Sequence, residues 1–325
     1  MSPLRPQDFE IALVCALRLE YDAVCLLFDT FWDEQGDRYG RVPGDSNTYT
    51  TGRIRRYNVV LALLPNMVNY QGLRLAILVG ICGGIPFPNA NKESDVTSEV
   101  LLGDVVISQK FIQYDLGKRY PNAFVRRDAV EDNLNRPNKD IRSLLATLET
   151  EHGRGRLQQG AATYLGQLQE VARGKNRRTG YAYPGTSEDR LFHTGYRHKH
   201  HDSEKCLIPR RRLKLKAELE ANVDTTIQAH IPTIHIGQIA SGDTLVKSGE
   251  DPDVLAKEIN FIAFEMEGSG VWDELPCIIV KGVADYADCH KNHIWQDFAA
   301  ATVAAAMKAL LDRYVRTDRG PSPNI

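Results

Sequence analysis

The sequence contains few cysteines and no long apolar run. Six cysteines are scattered over 325 residues, several within apolar stretches, which indicates buried, reduced thiols rather than a disulfide framework. No apolar run approaches the roughly 18 residues of a membrane span. The first ten residues lack the apolar core of a signal peptide. We therefore expect a cytoplasmic protein without a membrane-spanning segment.

Metal-binding and nucleic-acid-binding motifs are missing as well. No spacing of Cys and His residues is typical of a zinc site. His198, His200 and His201 cluster around Lys199, a pattern more typical of a solvated loop than of a metal site. The chain contains no recognisable nucleic-acid-binding motif. We expect no metal, no cofactor and no nucleic-acid partner.

The net charge of −2 conceals an asymmetric distribution. Residues 110–216, called the basic segment below, contain 23 Lys and Arg against 12 Asp and Glu, a balance of +11. The remainder contains 17 against 30, a balance of −13. A basic segment on an acidic body favours a polyanionic partner such as a phosphorylated small molecule. A merely solvated charged surface would have the same composition, so both interpretations stay open.

Apolar strand-like runs alternate with helical patterns along the chain, which predicts an α/β protein with a mixed sheet flanked by helices. We expect one domain over residues 1–325, with the basic segment inserted in it as helices and loops. The run Leu75–Val79 leads into Gly80-Ile-Cys-Gly-Gly84, interpreted as a glycine-rich turn. Only about ten residues separate the predicted strands ending at Leu64 and starting near Leu75, fewer than a parallel crossover usually needs.

Two acidic sites follow predicted strands. Glu265 and Glu267 come directly after the apolar run Phe261–Phe264. The run Cys277–Val280 is followed by Lys281 and, four residues later, by Asp285. Ligands of open α/β sheets bind where strands end, so these acids are placed for chemistry. The alternative is that Glu265 and Glu267 cap the following helix, where acids suit the helix dipole.

Six motifs follow one another along the chain: Ala16-Leu-Arg-Leu-Glu20, Gly80-Ile-Cys-Gly-Gly84, Gly103-Asp104, Ser241-Gly-Asp243, Phe264-Glu-Met-Glu267 and Gly282-Val-Ala-Asp-Tyr-Ala-Asp-Cys-His-Lys-Asn292. In this order they resemble the nucleoside phosphorylase/nucleosidase superfamily, whose members cleave the N-glycosidic bond of nucleosides. The similarity covers roughly residues 9–315. Two further pieces, Gln113–Gly117 and Glu188–Phe192, resemble its fungal branch, often found as the N-terminal domain of immune-type receptors.

The resemblance implies roles for individual residues. Asp285 corresponds to the acid that protonates purine N7, and Glu20 to the acid that activates the attacking water. Glu267 corresponds, with Met266, to the residues that bind the ribose. The remaining substrate-binding candidates are Glu265, Cys82, Gly83, Phe264, Leu245 and Lys281.

This sequence departs from the superfamily at three of its positions. Leu245 stands where bacterial nucleosidases have a base-stacking aromatic residue, Ile81 replaces a serine of the anion or water site, and Lys281 replaces an arginine. Phosphate binding has its own candidates, which are glycine or basic residues: Gly80, Arg18, Lys118, Arg119, Arg126, Arg127, His198, His200 and His201.

The predicted function is hydrolysis of the N-glycosidic bond of a purine, preferably adenine, nucleoside or nucleotide. Departure of a purine requires a general acid, and a carboxylate near the sugar stabilises the oxocarbenium-like ribose. Two alternatives remain: a phosphate-dependent purine nucleoside phosphorylase and an inactive nucleotide-sensing module. We also expect a homo-oligomer.

Overall fold

The structure is a computed structural model. It describes residues 2–34, 36, 39–40, 47–63, 70, 72–88, 99–114, 117–120, 123–126, 137–175, 177, 179–192, 207–242, 261–267, 276–288 and 291–315, with residues 117–120 and 123–126 described as backbone alone. Within these residues, no helix is long and apolar enough to cross a membrane.

The strands of the described chain form a nine-stranded sheet and a separate hairpin. They are β1 (Ile11–Cys15), β2 (Thr30–Phe31), β3 (Tyr49–Ile54), β4 (Tyr57–Leu63), β5 (Leu75–Gly84), β6 (Val105–Gln113), β7 (Gly117–Tyr120), β8 (Ala123–Arg126), β9 (Ile234–Ser241), β10 (Ala263–Glu265) and β11 (Cys277–Asp285). The order in the sheet is β10-β9-β6-β11-β5-β1-β4-β3-β2, and β7 pairs with β8.

One half of this sheet closes on itself. The short strand β10 pairs in parallel with β9 and also antiparallel with β5, where Phe264 lies opposite Gly83. Strands β5, β11, β6, β9 and β10 therefore form a closed ring of neighbours, and β1, β4, β3 and β2 extend the sheet from β5. Closure removes one free sheet edge and brings the residues after β10 next to β5 and β11.

Six helices accompany the sheet in the described part of the chain: α1 (Arg18–Cys25), α2 (Lys139–Glu149), α3 (Glu151–Gly174), α4 (Arg211–Ala221), α5 (Thr226–Ala229) and α6 (Gln296–Arg313). The alanine-rich helix α6 is buried from Phe298 to Leu311 and packs against β5, β11 and α3. A helix that is apolar around its whole circumference is typical of a protein core. The mixed α/β architecture predicted from the sequence is confirmed.

The basic segment contributes to this core. Leu157, Ala161, Leu165 and Leu168 of α3 are buried in the same hydrophobic cluster as the strands. The helical part of residues 110–216 is thus packed into the protein, whereas the hairpin β7–β8 forms a sheet of its own.

The glycine-rich turn predicted at Gly80–Gly84 is wrong, because these residues continue β5. They pair with Lys281–Asp285 of β11 and with Ala263 and Phe264 of β10. The glycines let neighbouring side chains approach the backbone of β5 closely; they do not reverse the direction of the chain. A Cβ on Gly80 would lie 2.8 Å from Glu20 Oε1 and 2.9 Å from Lys281 Nζ, distances that no ordinary packing allows.

The short connection between β4 and β5 is a parallel crossover. Both strands pair in parallel with β1, from opposite sides. Of the connection, Tyr70 and residues 72–74 belong to the described chain, where Arg74 N donates to Glu10 O at 2.9 Å. The remaining residues, 64–69 and 71, lie outside the described part.

Candidate active site

A cavity of about 250 Å³ lies where β5, β10 and β11 meet the first turn of α1. It is lined by Leu17, Glu20, Ile81, Cys82, Gly83, Tyr114, Phe264, Glu265, Met266, Glu267, Asp285, Ala287, Lys291 and Gln296. The three residues predicted to be catalytic therefore face one space: Glu20, Glu267 and Asp285. Glu20 precedes the other two by 247 and 265 residues in the chain.

Glu20 is fixed by the start of α1 and by β5. Its Oε2 accepts hydrogen bonds from Ala16 N at 3.0 Å and Leu17 N at 2.8 Å, which satisfies amides at the helix N-terminus. Its Oε1 accepts from Ile81 N at 2.8 Å. Burial raises the pKa of Glu20, against the opposing effect of Lys281 and these amides. A carboxylate of raised pKa is a better proton acceptor for a bound water.

Lys281 neutralises part of a buried acidic cluster. Its side chain is buried, and Nζ lies 2.6 Å from Glu267 Oε2 and 3.4 Å from Glu265 Oε2. Burial alone would lower the pKa of Lys281, but Glu265, Glu267 and Glu20 together raise it above the ordinary value. Lys281 is therefore an ammonium ion that holds the carboxylates in place.

Glu267 is held as an anion by the same contact. Burial alone would raise its pKa, but the charge and hydrogen bond of Lys281 lower it. Its backbone N also donates to Glu265 Oε2 at 3.0 Å. Both acids thus have partners within the site. The alternative, that they cap a following helix, concerns residues 268–275, which lie outside the described part of the chain. An anion with one oxygen on Lys281 is suited to bind sugar hydroxyls and to face a developing cation.

Asp285 ends β11 on the other side of the cavity, with 9% of its surface exposed. Its Oδ1 accepts a hydrogen bond from Ala287 N at 2.8 Å, and its Oδ2 lies 3.0 Å from Lys291 Nζ. Gly83 makes room for this turn, because a Cβ there would lie 2.9 Å from Ala287 Cβ and 3.1 Å from Asp285 Oδ1. The carboxyl group is therefore presented to the cavity by a closely packed bend of the chain.

Aromatic side chains form the apolar wall of the cavity. Phe264 packs edge-on against Tyr114, with ring centroids 5.5 Å apart, and against Phe261 at 4.5 Å. Cys82 lies buried in the strand next to Phe264, and burial raises the pKa of its thiol, so it remains a neutral, apolar neighbour. An apolar wall opposite a few fixed polar groups is the usual composition of a small-molecule site.

Glu267 and Asp285 lie around one cavity because of the strand directions, which the sequence did not indicate. Strand β10 runs antiparallel to β5 while β11 runs parallel to it. Glu267 and Asp285 consequently follow strands of opposite direction, and it is ring closure that places them around one cavity. The acids do stand at strand ends, as expected from the sequence, but in a closed ring of strands and not in an open sheet.

Comparison with solved structures shows related architectures. Futalosine hydrolase of Helicobacter pylori is 17% identical and aligns over 94% of this chain and 98% of its own, with a TM-score of 0.51. The MTA/SAH nucleosidase of Streptococcus pneumoniae, bound to the transition-state inhibitor MT-ImmA, is 16% identical over 93% and 98%, with a TM-score of 0.52. The S-adenosylhomocysteine nucleosidase of Streptococcus pyogenes is 14% identical over 94% and 97%, also at 0.52.

This chain has the nucleoside phosphorylase/nucleosidase fold. At these identities the likeness concerns the architecture, and it confirms the resemblance predicted from the sequence at that level. No protein-family model matches the chain.

A curated relative is a nucleotide-binding leucine-rich repeat (NLR)-like protein of Hyaloscypha variabilis, 28% identical over 328 residues. The alignment covers 95% of this chain but 30% of that protein. The nucleosidase-fold chain thus spans less than a third of its relative's length.

Other predicted site residues lie away from the cavity of this nucleosidase fold or cannot be placed in it. Arg18 is exposed on α1, and Gly80 and Lys281 lie behind Glu20 rather than on the cavity surface. Lys118, Arg119 and Arg126 belong to the hairpin β7–β8, where the backbone alone is described. Five candidates fall outside the described residues: Arg127, His198, His200, His201 and Leu245.

Five lining residues were missed by the sequence analysis: Leu17, Tyr114, Ala287, Lys291 and Gln296. All but Gln296 stand within motifs that it quoted. Tyr114 follows β6 in the piece Gln113–Gly117, and Lys291 belongs to the motif that begins at Gly282. Their position within these motifs was the signal that could have identified them as site residues. Nothing in their spacing shows that Tyr114 faces Phe264 or that Lys291 reaches Asp285.

Proposed function

We propose that this protein hydrolyses the N-glycosidic bond of a purine nucleoside or nucleotide. The observation that supports the proposal is the convergence of Glu20, Glu267 and Asp285 on one cavity with an aromatic wall. The similar solved structures are nucleosidases or a futalosine hydrolase, which agrees with this chemistry without specifying the substrate.

The proposed reaction divides the work among the three acids. Asp285 delivers a proton to N7 of the base while the bond from the base to C1′ breaks and its electron pair leaves with the base. Glu267 binds the ribose hydroxyls and stabilises the positive charge that develops on the sugar. Glu20 removes a proton from a water that adds to C1′. The products are the free base and the sugar with a hydroxyl at C1′.

Binding of the base requires an exchange at Asp285. Lys291 Nζ contacts Oδ2 at 3.0 Å, and its side chain is 44% exposed. In the proposal, N7 of the purine takes the place of this ammonium, while the face of the base packs on Phe264 and Tyr114. A long lysine side chain with nearly half of its surface in solvent loses little by this movement.

Water is favoured over phosphate as the nucleophile by the charge of the site. The described lining residues include four carboxylates, Glu20, Glu265, Glu267 and Asp285, against the single cation Lys291. The amide of Ile81, which belongs to the glycine-rich stretch predicted to bind an anion, already donates to Glu20. Lys281 is engaged by Glu265 and Glu267. An anionic nucleophile would therefore meet net repulsion.

The basic segment supports a phosphorylated substrate. Tyr114 lines the cavity, and the hairpin with Lys118, Arg119 and Arg126 begins at Gly117, three residues later. Three residues of extended chain span about 10 Å. This hairpin can thus reach a phosphate chain that leaves the cavity, and we propose an adenine nucleotide ahead of adenosine.

The experiment is product analysis with a substrate panel from adenosine to ATP, with and without inorganic phosphate. We expect free base and free ribose or ribose phosphate in the absence of phosphate, and release lowered by roughly 100-fold or more in Asp285→Asn. Ribose 1-phosphate formed strictly with phosphate would instead establish phosphorolysis. Tight binding of a nucleotide without turnover by the folded protein would establish a sensing module. A relative of this chain is an NLR-like protein, which is the reason to test for this role.

A further inference from the structure

Tyr286, the residue after Asp285, points into a buried polar cluster rather than into the cavity. Its hydroxyl donates to Asp189 Oδ1 at 2.6 Å and accepts hydrogen bonds from Leu102 N at 3.2 Å and from Arg210 Nη1. The ring of Tyr286 also lies under the Arg210 guanidinium, 4.9 Å from Cζ to the centroid. None of these four residues lines the cavity.

Arg210 connects Tyr286 to segments that are distant along the chain. Its guanidinium is completely buried and contacts Glu99 Oε1 at 2.7 Å, Asp189 Oδ1 at 2.8 Å and the Val100 carbonyl. Asp189 in turn accepts from Leu102 N through Oδ2 at 3.0 Å. A buried ion pair is weak evidence for stability, because desolvation offsets most of the attraction. A role in positioning is the better explanation for its cost.

The cluster is coupled to Asp285 through the backbone. Tyr286 directly follows Asp285 at the end of β11, so anchoring the Tyr286 ring restricts the backbone from which the Asp285 side chain projects. The next residue, Ala287, has a φ of 54°. This left-handed conformation is unfavourable for a non-glycine residue and persists where the surroundings enforce it. In it, Ala287 N donates to Asp285 Oδ1 at 2.8 Å.

The geometry points to Arg210, Asp189 and Tyr286 as a positioning group for Asp285, which aims its carboxyl group at the leaving base. This inference rests on the proposed function and assigns to three buried residues a part in proton delivery. Loss of the Tyr286 hydroxyl should release the Ala287 turn and misplace the acid. The defect should then be limited to substrates whose leaving group needs a proton.

Tyr286→Phe is the variant that tests this role. Without the hydroxyl, Arg210 Nη1 still has Asp189 Oδ1, and Leu102 N still has Asp189 Oδ2. No charged group is stranded, so the variant should fold. Replacement of Arg210 would leave Glu99 and Asp189 buried without their cation, and unfolding would obscure the result. Tyr164→Phe is the matched control, since its hydroxyl contacts Asp312 Oδ2 at 2.5 Å outside the cavity lining.

The assay compares a purine substrate (adenosine, or ATP if it is turned over faster) with 4-nitrophenyl β-D-ribofuranoside, whose leaving group departs unprotonated. We expect Tyr286→Phe to lower kcat on the purine substrate roughly 10- to 100-fold and to leave turnover of the nitrophenyl riboside unchanged. Asp285→Asn should show the same pattern with a larger loss. Tyr164→Phe should behave like the wild type on both substrates.

A second measurement uses purine substrates alone. Among bases of different basicity, Tyr286→Phe should lose most on the most basic leaving base and least on the least basic one. Equal losses on all substrates would show that Tyr286 is merely structural, and no loss on any of them would show that the cluster does not act on Asp285. Either result overturns the inference. Failure of the wild type to release any base would refute the proposed function instead.

Discussion

Lys281→Met should destabilise the protein because it leaves a buried acidic cluster without its cation. Lys281 Nζ contacts Glu267 Oε2 at 2.6 Å and Glu265 Oε2 at 3.4 Å, and its side chain is 1% exposed. Removal of one partner of a buried ion pair costs about 3–5 kcal/mol. Because the Glu267 side chain is 24% exposed and can recover some hydration, we expect about 3 kcal/mol, the lower end of that range.

The loss should depend on pH with a defined sign. In the wild type, Lys281 lowers the pKa of Glu267 although burial alone would raise it. The ionised Glu267 therefore stabilises the fold above its unfolded-state pKa, and this contribution is lost as the pH falls through the folded-state value. In Lys281→Met the largest effect opposing burial is lost, and only the hydrogen bonds of Glu267 with Glu265 and with the Met266 backbone remain. Ionised carboxylates therefore destabilise the variant. The difference between the proteins should be largest at neutral and alkaline pH and should shrink as the pH falls toward about 4.3, the ordinary value for Glu.

Urea unfolding of both proteins at about pH 8 and about pH 5 measures this difference. Lys308→Met is the matched control. Lys308 Nζ is buried and contacts Asp29 Oδ1 at 2.7 Å and Leu27 O at 2.8 Å, but the Asp29 side chain is 33% exposed and neither residue lines the cavity. Its loss should cost less, vary less with pH and leave base release intact. A loss below about 1 kcal/mol for Lys281→Met, or one of equal size at both pH values, would refute the reasoning.

Three further predictions concern catalysis. Asp285→Asn should lower base release roughly 100- to 10,000-fold at an unchanged melting temperature, and turnover above a tenth of the wild type would contradict its role as the acid. Glu20→Ala should suppress cleavage in phosphate-free buffer, and a strict phosphate requirement of the wild type would contradict hydrolysis. Raising the NaCl concentration should increase KM for ATP far more than KM for adenosine, because exposed charges are screened beyond roughly 8–10 Å. Equal kcat/KM on both substrates at low salt would remove the evidence for phosphate recognition by the basic segment.

Two buried strands were predictable from the sequence, because Ile11–Cys15 and the first four residues of β11, Cys277–Val280, are continuous apolar runs. The continuation of β11 through Lys281 to Asp285 interrupts that pattern. Ile11–Cys15 and Cys277–Asp285 are buried along their whole length, as strands covered on both faces are. The strand conformation of Gly80–Gly84 was not predictable, because the local pattern of glycines is equally typical of a turn. What makes it a strand is pairing with β11 and β10, some 180 to 200 residues later in the chain.

Ring closure was equally inaccessible to pattern reasoning. Strand β10 has three residues, too few for a detectable period, and its double pairing with β9 and β5 is a tertiary property. The motifs nevertheless placed Glu20, Glu267 and Asp285 in one site. They did so without indicating that Lys281 lies between Glu267 and Glu265, or that Lys291 contacts Asp285.

The basic residues of the basic segment do not all have the same role. Arg210 is buried against Glu99 and Asp189, and Arg212 against Asp104, to which it donates from two nitrogens. Both arginines are thereby removed from any role in binding phosphate. The balance of +11 consequently overstates the charge available to a substrate. Recognition of a polyphosphate by this segment would then depend on other basic residues, and we propose for it those of the hairpin that begins three residues after Tyr114: Lys118, Arg119 and Arg126. Neutralising these three should abolish a preference for ATP over adenosine, whereas neutralising as many exposed basic residues on α2 and α3 should not.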